Sequence, residues 1–165
     1  WRMKTQDILT PDSFYVGLRD LEQWAKQTEQ PMDRAILHSL IAEFYANYAA
    51  DNQWQLRQRT EIVGETPSAD IREWTANMFV EKVRTNVKEA LADSLLLLKT
   101  SSLNYIPFVE LGETSEYYHH DMYHLLASRA IRALNQIERL ERGSFNGITA
   151  SPVKQDIINL SLIHI

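Results

Sequence analysis

The side chains with the clearest chemical potential in this chain are three histidines and two acids in one short run: Glu116, His119, His120, Asp121 and His124. Imidazole and carboxylate groups are common zinc ligands, and two histidines four residues apart lie on the same side of a helix. The glutamate that acts as general base in a HExxH helix is missing between His120 and His124, and no third ligand is evident. We therefore predict no metal and no other cofactor. Asp121 is expected to cap a helix while the histidines hydrogen-bond the preceding loop.

The overall composition excludes several other kinds of chemistry. The 165 residues include no cysteine, which removes disulfides, thiolate catalysis and zinc–thiolate sites together. The net charge of −5 comes from scattered acids without any basic block, so nucleic acid is not an expected partner. No window approaches the roughly 20 apolar residues that a membrane span needs. Since the sequence also lacks a nucleophile–base set and a phosphate-binding loop, we predict that the chain is not an enzyme.

Four stretches carry apolar residues at helical spacing, and they predict an all-α fold of four main helices arranged as two antiparallel hairpins. The first helix is expected over residues 11–28 and the second from Pro31 onward. The third is expected as one continuous helix over residues 70–98, because this stretch has no glycine or proline. The fourth is expected to begin at residues 119–121 and to end before Gly143, a natural C-terminal cap.

These helices are predicted to form one domain over residues 1–143. Residues 144–165 are expected to hold a linker and the start of a truncated fifth helix. Residues 160–165 are similar to translated sequencing-adapter sequence, and we expect them to be an artefact at the end of a fragment. Because the chain starts at Trp1 without a signal segment, we expect the true N-terminus to lie further upstream.

Tryptophans and leucines indicate the expected core. Trp24, Trp54 and Trp74 each lie within or beside an apolar stripe, so we predict that they are buried and not used in binding. The run Leu95 to Leu98 is apolar on every side of a helix and is predicted to be buried on several sides. The connection at residues 51–69 is expected to add one helical turn whose apolar residues cover the core.

A long loop of sequence SSLNYIPFVELGETSEYY, residues 101–118, joins the third and fourth predicted helices. Loops of this length usually carry function or fold back on their own side chains. Two interpretations stay open: the aromatic residues pin the loop to the helices, or they form a recognition surface. The residues expected to anchor the loop or to contact a partner are Tyr105, Phe108, Tyr117, Tyr118, His120, Tyr123 and His124.

Residues 70–134 resemble the N-terminal helical region of the Bacteroidetes-type bacterial alpha-2-macroglobulin family. The resemblance rests on the motif YIPFV at Tyr105 to Val109 and on HDMYHLL at His120 to Leu126, together with a leucine-rich helix end before Lys99. It becomes looser toward Pro31. It implies a non-catalytic helical module with a structural or docking role at the N-terminal end of a large envelope protein of protease-inhibitor type.

The resemblance also implies a location and a set of partners. Such proteins are secreted into the periplasm or anchored to the outer membrane, and a series of β-sandwich macroglobulin domains follows the helical region. The expected partners are those downstream domains of the same polypeptide and, beyond them, proteases. Some members trap proteases with a thioester built on a Cys-Gly-Glu-Gln motif, but this chain has no cysteine and no trapping chemistry is assigned to it.

Two other hypotheses stay open. The chain would be a free-standing adaptor of tetratricopeptide type if its helix pairs formed a concave groove, although the predicted helices start at uneven intervals. It would be a metal-dependent enzyme if His120 and His124 shared an ion with a third ligand.

Overall fold

A computed structural model describes residues 13–59, 68, 70–106, 112 and 120–141 of the chain. These residues form six α-helices and two 3₁₀ turns: α1 (Ser13–Gln27), α2 (Pro31–Asp51), α3 (Gln53–Arg57), a first 3₁₀ turn (Ile71–Glu73), α4 (Ala76–Ala90), α5 (Ser94–Lys99), a second 3₁₀ turn (Ser102–Tyr105) and α6 (Met122–Glu141). Extended pairing in these ranges is limited to an isolated bridge between Ser101 and Asp121. The all-α prediction is confirmed for them. None of the helices in this part of the chain has the length and apolar character needed to span a membrane.

Helix α2 occupies the centre of the structure, where it packs against α1, α4 and α6. Its buried residues lie on several faces of the helix: Met32, Ala35, Leu37, Ser39, Ile41, Ala42, Tyr45, Ala46 and Ala49. A helix that is covered on several sides must be apolar around much of its circumference. The three alanines from Ala42 to Ala49 have short side chains, which lets the neighbouring helix axes come close.

Ring contacts show that α1 and α4 both run antiparallel to α2. Tyr15 at the start of α1 meets Tyr48 near the end of α2, with ring centroids 6.3 Å apart. Tyr48 also stacks at 5.3 Å on Phe79, which lies near the start of α4. At the other end, His38 of α2 hydrogen-bonds Asn86 of α4.

Polar contacts show that α6 runs parallel to α2. Glu43 pairs with Arg129, and one turn further along α2 and two turns further along α6, Asn47 accepts a hydrogen bond from Gln136 at 2.9 Å. Helices α4 and α6 also contact each other, whereas α1 packs mainly on α2. Two grooves therefore flank α1, one toward α4 and one toward α6. The predicted grouping into two hairpins stays a prediction, because α2 is shared among three neighbours.

The predicted continuous helix over residues 70–98 is wrong. Helix α4 ends at Ala90 and α5 begins at Ser94, with Asp93 accepting a hydrogen bond from the backbone N–H of Leu96 at 3.1 Å. Asp70 caps a separate 3₁₀ turn in the same way, since it accepts from the N–H of Arg72 at 2.9 Å. Aspartate side chains compete for backbone N–H groups and so end helices without glycine or proline.

The break changes which leucine of the run Leu95 to Leu98 is buried. Leu97 is 1% exposed, whereas Leu95 is 68% exposed. The predicted burial on several sides is wrong for Leu95, because the turn before Ser94 starts a new helix with a different phase. Leu96 and Leu98 are partly buried against the core.

The tryptophan prediction is correct for one residue and wrong for two. Trp74 is buried, stacks on Tyr45 at 5.5 Å and contacts Phe79 at 5.3 Å. Trp24 is 58% exposed and Trp54 is 75% exposed. Helix α1 buries a single face against α2, and the five-residue α3 buries Leu56 alone, so both indole rings lie outside the core.

Candidate functional site

The start of α6 is held by its own side chains. Asp121 accepts a hydrogen bond from the backbone N–H of His124 at 2.9 Å, which confirms its predicted role as a helix cap. The second carboxylate oxygen of Asp121 lies 2.7 Å from Nδ1 of His124. One acid thus satisfies an N–H at the helix start and orients an imidazole ring.

The same region closes the base of the long loop. The N–H of Ser102 donates to the carbonyl of His120 at 2.8 Å, and the N–H of Met122 donates to the carbonyl of Thr100 at 2.9 Å. These two bonds make the antiparallel bridge between Ser101 and Asp121. Both ends of the loop are therefore fixed to the helices next to each other.

The seven residues predicted to anchor the loop or contact a partner divide into three groups. Tyr105 at the end of the second 3₁₀ turn, His120 at the loop base and His124 in the first turn of α6 are all partly buried, and Tyr105 packs against the core. Tyr123 is a core residue, 1% exposed, and burial raises the pKa of its hydroxyl. The remaining three lie outside the described residues: Phe108, Tyr117 and Tyr118.

The metal hypothesis needs a third ligand beside His120 and His124, and both Glu116 and His119 lie outside the described residues. Within the ranges that are described, no group of three or more histidine, cysteine, aspartate or glutamate side chains is arranged to hold a metal ion. The prediction that the chain binds no metal stays a prediction.

The groove between α1 and α6 begins at the loop base. It has a volume of about 410 Å³ and lies over α2. Most of its lining is apolar, from Leu21 and Trp24 of α1, Ile36 and Leu40 of α2, and Met122, Leu125 and Leu126 of α6. Tyr105 of the second 3₁₀ turn also lines it. We call this surface the Trp24 groove.

Two charged residues, Arg129 and Asp33, are among the residues that line the Trp24 groove. Arg129 lines it but forms an ion pair with Glu43 of α2. Asp33 lies near Tyr105, whose pKa is raised first by burial and then by that carboxylate charge. The groove is therefore a mainly apolar surface whose lining includes one paired cation and one acid.

Sequence reasoning identified Tyr105 but missed Trp24, Leu21 and Ile36 as groove residues. The missed signal lies in α1, where Trp24 is next to the buried Ala25 instead of on the stripe of Leu18 and Leu21. A tryptophan one position away from a narrow stripe points toward the edge of the helix interface.

A second cleft of about 510 Å³, with more charged residues in its lining, lies between α1 and α4. In its wall, one oxygen of Glu22 accepts hydrogen bonds from the Tyr45 hydroxyl at 2.9 Å and from the Lys82 ammonium at 2.8 Å. The ammonium also lies 5.6 Å from the Tyr45 ring centroid and 5.7 Å from that of Trp74. The cluster joins α1, α2 and α4.

Two opposing effects set the ionisation of this cluster. Burial alone would raise the pKa of Glu22, but the hydrogen bonds from Lys82 and Tyr45 outweigh it and hold that pKa below its ordinary value. Burial and the Glu22 carboxylate raise the pKa of Tyr45. At neutral pH the carboxylate is therefore charged and the phenol is a hydrogen-bond donor.

Comparison of the chain with protein-family models, with curated proteins and with solved structures found no match. The resemblance to the macroglobulin family stays a proposal that rests on the residues quoted for it. The two grooves beside α1 are the surfaces from which a function can be inferred.

Proposed function

We propose that the chain is a non-catalytic helical module at the N-terminal end of a macroglobulin-like envelope protein of the periplasm or outer membrane. In this proposal the four long helices act as two hairpins, and the module docks against the following domain of the same polypeptide. Proteases would be bound by the assembled protein and not by this module alone.

The observation that carries the docking role is the exposure of Trp24 beside an apolar groove. In the isolated domain the large apolar ring of Trp24 is in contact with water, which is unfavourable. A partner surface that covered the ring would remove this contact and gain binding free energy. Tryptophans next to apolar pockets are the side chains that most often dominate the binding energy of an interface. The ion pair of Arg129 with Glu43 leaves the groove suited to an apolar surface of the neighbouring domain.

The test begins with the full open reading frame. A protein extended through the next domain should show slower amide exchange in α1 and α6 than this chain alone, because the groove would be covered. Trp24→Ser should reduce that protection. Trp54→Ser removes an indole that is also exposed but lies outside the groove, so it should leave the protection unchanged. A reading frame without sandwich-type sequence downstream, or equal effects of the two variants, would contradict the proposal.

A second candidate, the tetratricopeptide-like adaptor, is favoured by the position of the α1–α4 cleft. In helical repeats the first helices of successive pairs line the concave binding surface. Here α1 and α4 line a cleft whose floor is α2. An adaptor would bind a peptide in this cleft, so Met78→Trp, which narrows it, should abolish binding while Trp24→Ser should not. The docking proposal predicts the reverse pattern.

A further inference from the structure

The α1–α4 cleft contains a pair of polar residues that the docking role does not use. His38 of α2 and Asn86 of α4 both line it, and the Nδ1 atom of His38 lies 2.7 Å from the amide oxygen of Asn86. Asn86 is only 7% exposed. A buried amide is less favourable than an apolar side chain of similar size unless its hydrogen bonds are made.

The hydrogen-bond network determines which way the Asn86 amide faces. Its Nδ2 group donates to the carbonyl of Lys82 at 2.8 Å, one turn back in α4. The amide oxygen must therefore face His38. Because that oxygen can only accept, Nδ1 of His38 carries the proton, and in the neutral ring Nε2 is left as an acceptor. The described residues supply no hydrogen bond to Nε2.

The cleft around this acceptor has apolar and anionic parts. Ile41, Trp74 and Met78 supply apolar lining. Glu22 and Glu81 supply carboxylates that are already paired, with Lys82 at 2.8 Å and with Arg84 at 3.3 Å, and Lys26 also lines the cleft. A cationic ligand thus gains little from either carboxylate, whereas a neutral molecule with a hydroxyl donor and an apolar ring matches both His38 and the apolar lining. The volume of about 510 Å³ lies in the range of small-molecule sites.

We propose that this cleft binds small neutral phenols, with the phenolic hydroxyl donating to Nε2 of His38 and the ring lying on Ile41 and Met78. Asn86 is the positioning residue, since it fixes the tautomer that accepts the hydrogen bond. The site is separate from the Trp24 groove, so this proposal does not depend on the docking role.

The test compares two ligands that differ by one hydrogen-bond donor. The whole chain, labelled with ¹⁵N, is titrated with 4-methylphenol and with 4-methylanisole, in which the hydroxyl hydrogen is replaced by methyl. One neutral hydrogen bond should make the phenol bind about fivefold tighter. The largest shifts should fall on the His38 ring and on neighbouring amides of α2 and α4.

Variants distinguish the contribution of the His38 acceptor to binding from the contribution of the apolar lining. His38→Phe should reduce the affinity ratio of the two ligands to about one, and Asn86→Leu should reduce it part of the way, because the ring can then change tautomer. His38→Gln restores an acceptor and should recover part of the ratio. Trp24→Ser, in the other groove, should leave the ratio as it is.

Equal affinities in the unmodified chain, or shifts that fall in the Trp24 groove, would overturn the proposal. If His38→Phe does not fold, the ratio and shift map of the unmodified chain decide.

Discussion

Glu22 connects three helices with a single carboxylate, through the Tyr45 hydroxyl and the Lys82 ammonium. The surrounding rings of Tyr45 and Trp74 remove water from one side of the ammonium. Such a cluster is only partly shielded, because the side chain of Lys82 is 41% exposed. Its contribution to stability is therefore smaller than that of a fully buried pair.

Glu22→Gln should destabilise the domain by about 1 kcal/mol at neutral pH, since it removes the charge that both donors bind. The pKa of Glu22 is lowered in the folded state, so its stabilising effect is complete above the unfolded value of 4.5 and is lost as the pH falls through the folded pKa. The difference in unfolding free energy between the two proteins should thus shrink as the pH falls below about 4.5. Urea unfolding at several pH values measures it. A difference that grows on acidification would contradict this account.

At the scale of elements, the turn between α4 and α5 decides which apolar residues face the core. Asp93 ends one helix pattern and starts another, so the phase of the leucine run changes over three residues. The apolar residues that form one continuous stripe in the sequence therefore belong to two helices, α4 and α5.

Leu97→Ala should cost roughly 2–5 kcal/mol of unfolding free energy, because it opens a cavity at a fully buried position. Leu95→Ala is the matched control, and it should change stability by no more than about 0.5 kcal/mol, as expected for an exposed side chain. Midpoints of urea unfolding compare the two. A larger loss of stability for Leu95→Ala would contradict the break between α4 and α5 and would support the continuous helix that the sequence predicts.

The sequence allowed the amphipathic helices to be predicted better than the breaks between them. The stripe of α6, from Met122 to Leu140, is buried as predicted, because one face of that helix meets the core and the spacing shows it. The break after α4 could not be predicted, because it contains no glycine or proline and is marked only by the side-chain cap of Asp93 at the start of α5. Trp24 was misplaced because its burial depends on which helices lie beside α1, and local periodicity does not contain that information.

At the scale of the whole molecule, α2 is shared by three neighbours whereas α1 depends mainly on one. Tyr45, Trp74 and Phe79 pack around the interface of α2 with α4, which concentrates large buried rings on that side. Aromatic contacts add to the stability given by buried area alone. The interface of α2 with α4 is thus expected to be more stable than the interface of α2 with α1.

Native-state hydrogen exchange should show this difference in stability between the two interfaces. Amides of α2 and α4 should exchange only through global unfolding, while those of α1 should exchange through a smaller opening with a free energy well below the global value. Exchange in increasing concentrations of urea separates the two classes. Equal opening energies for α1 and α2 would mean that the bundle unfolds as one unit.

The closed base of the loop also makes this region tolerant of added sequence. Because the bridge between Ser101 and Asp121 fixes the neighbouring helices, the distance that a longer connection must span does not change. Doubling such a connection costs only about 0.6 kcal/mol of closure entropy. Gly112 is exposed, and an added Cβ there would meet no atom of the described residues within 4 Å. A compact domain with adjacent termini, fused in after Gly112, should leave the melting temperature of the helices nearly unchanged by circular dichroism. A gene-fusion event at this codon would thus give the protein a new domain while its helical scaffold is retained.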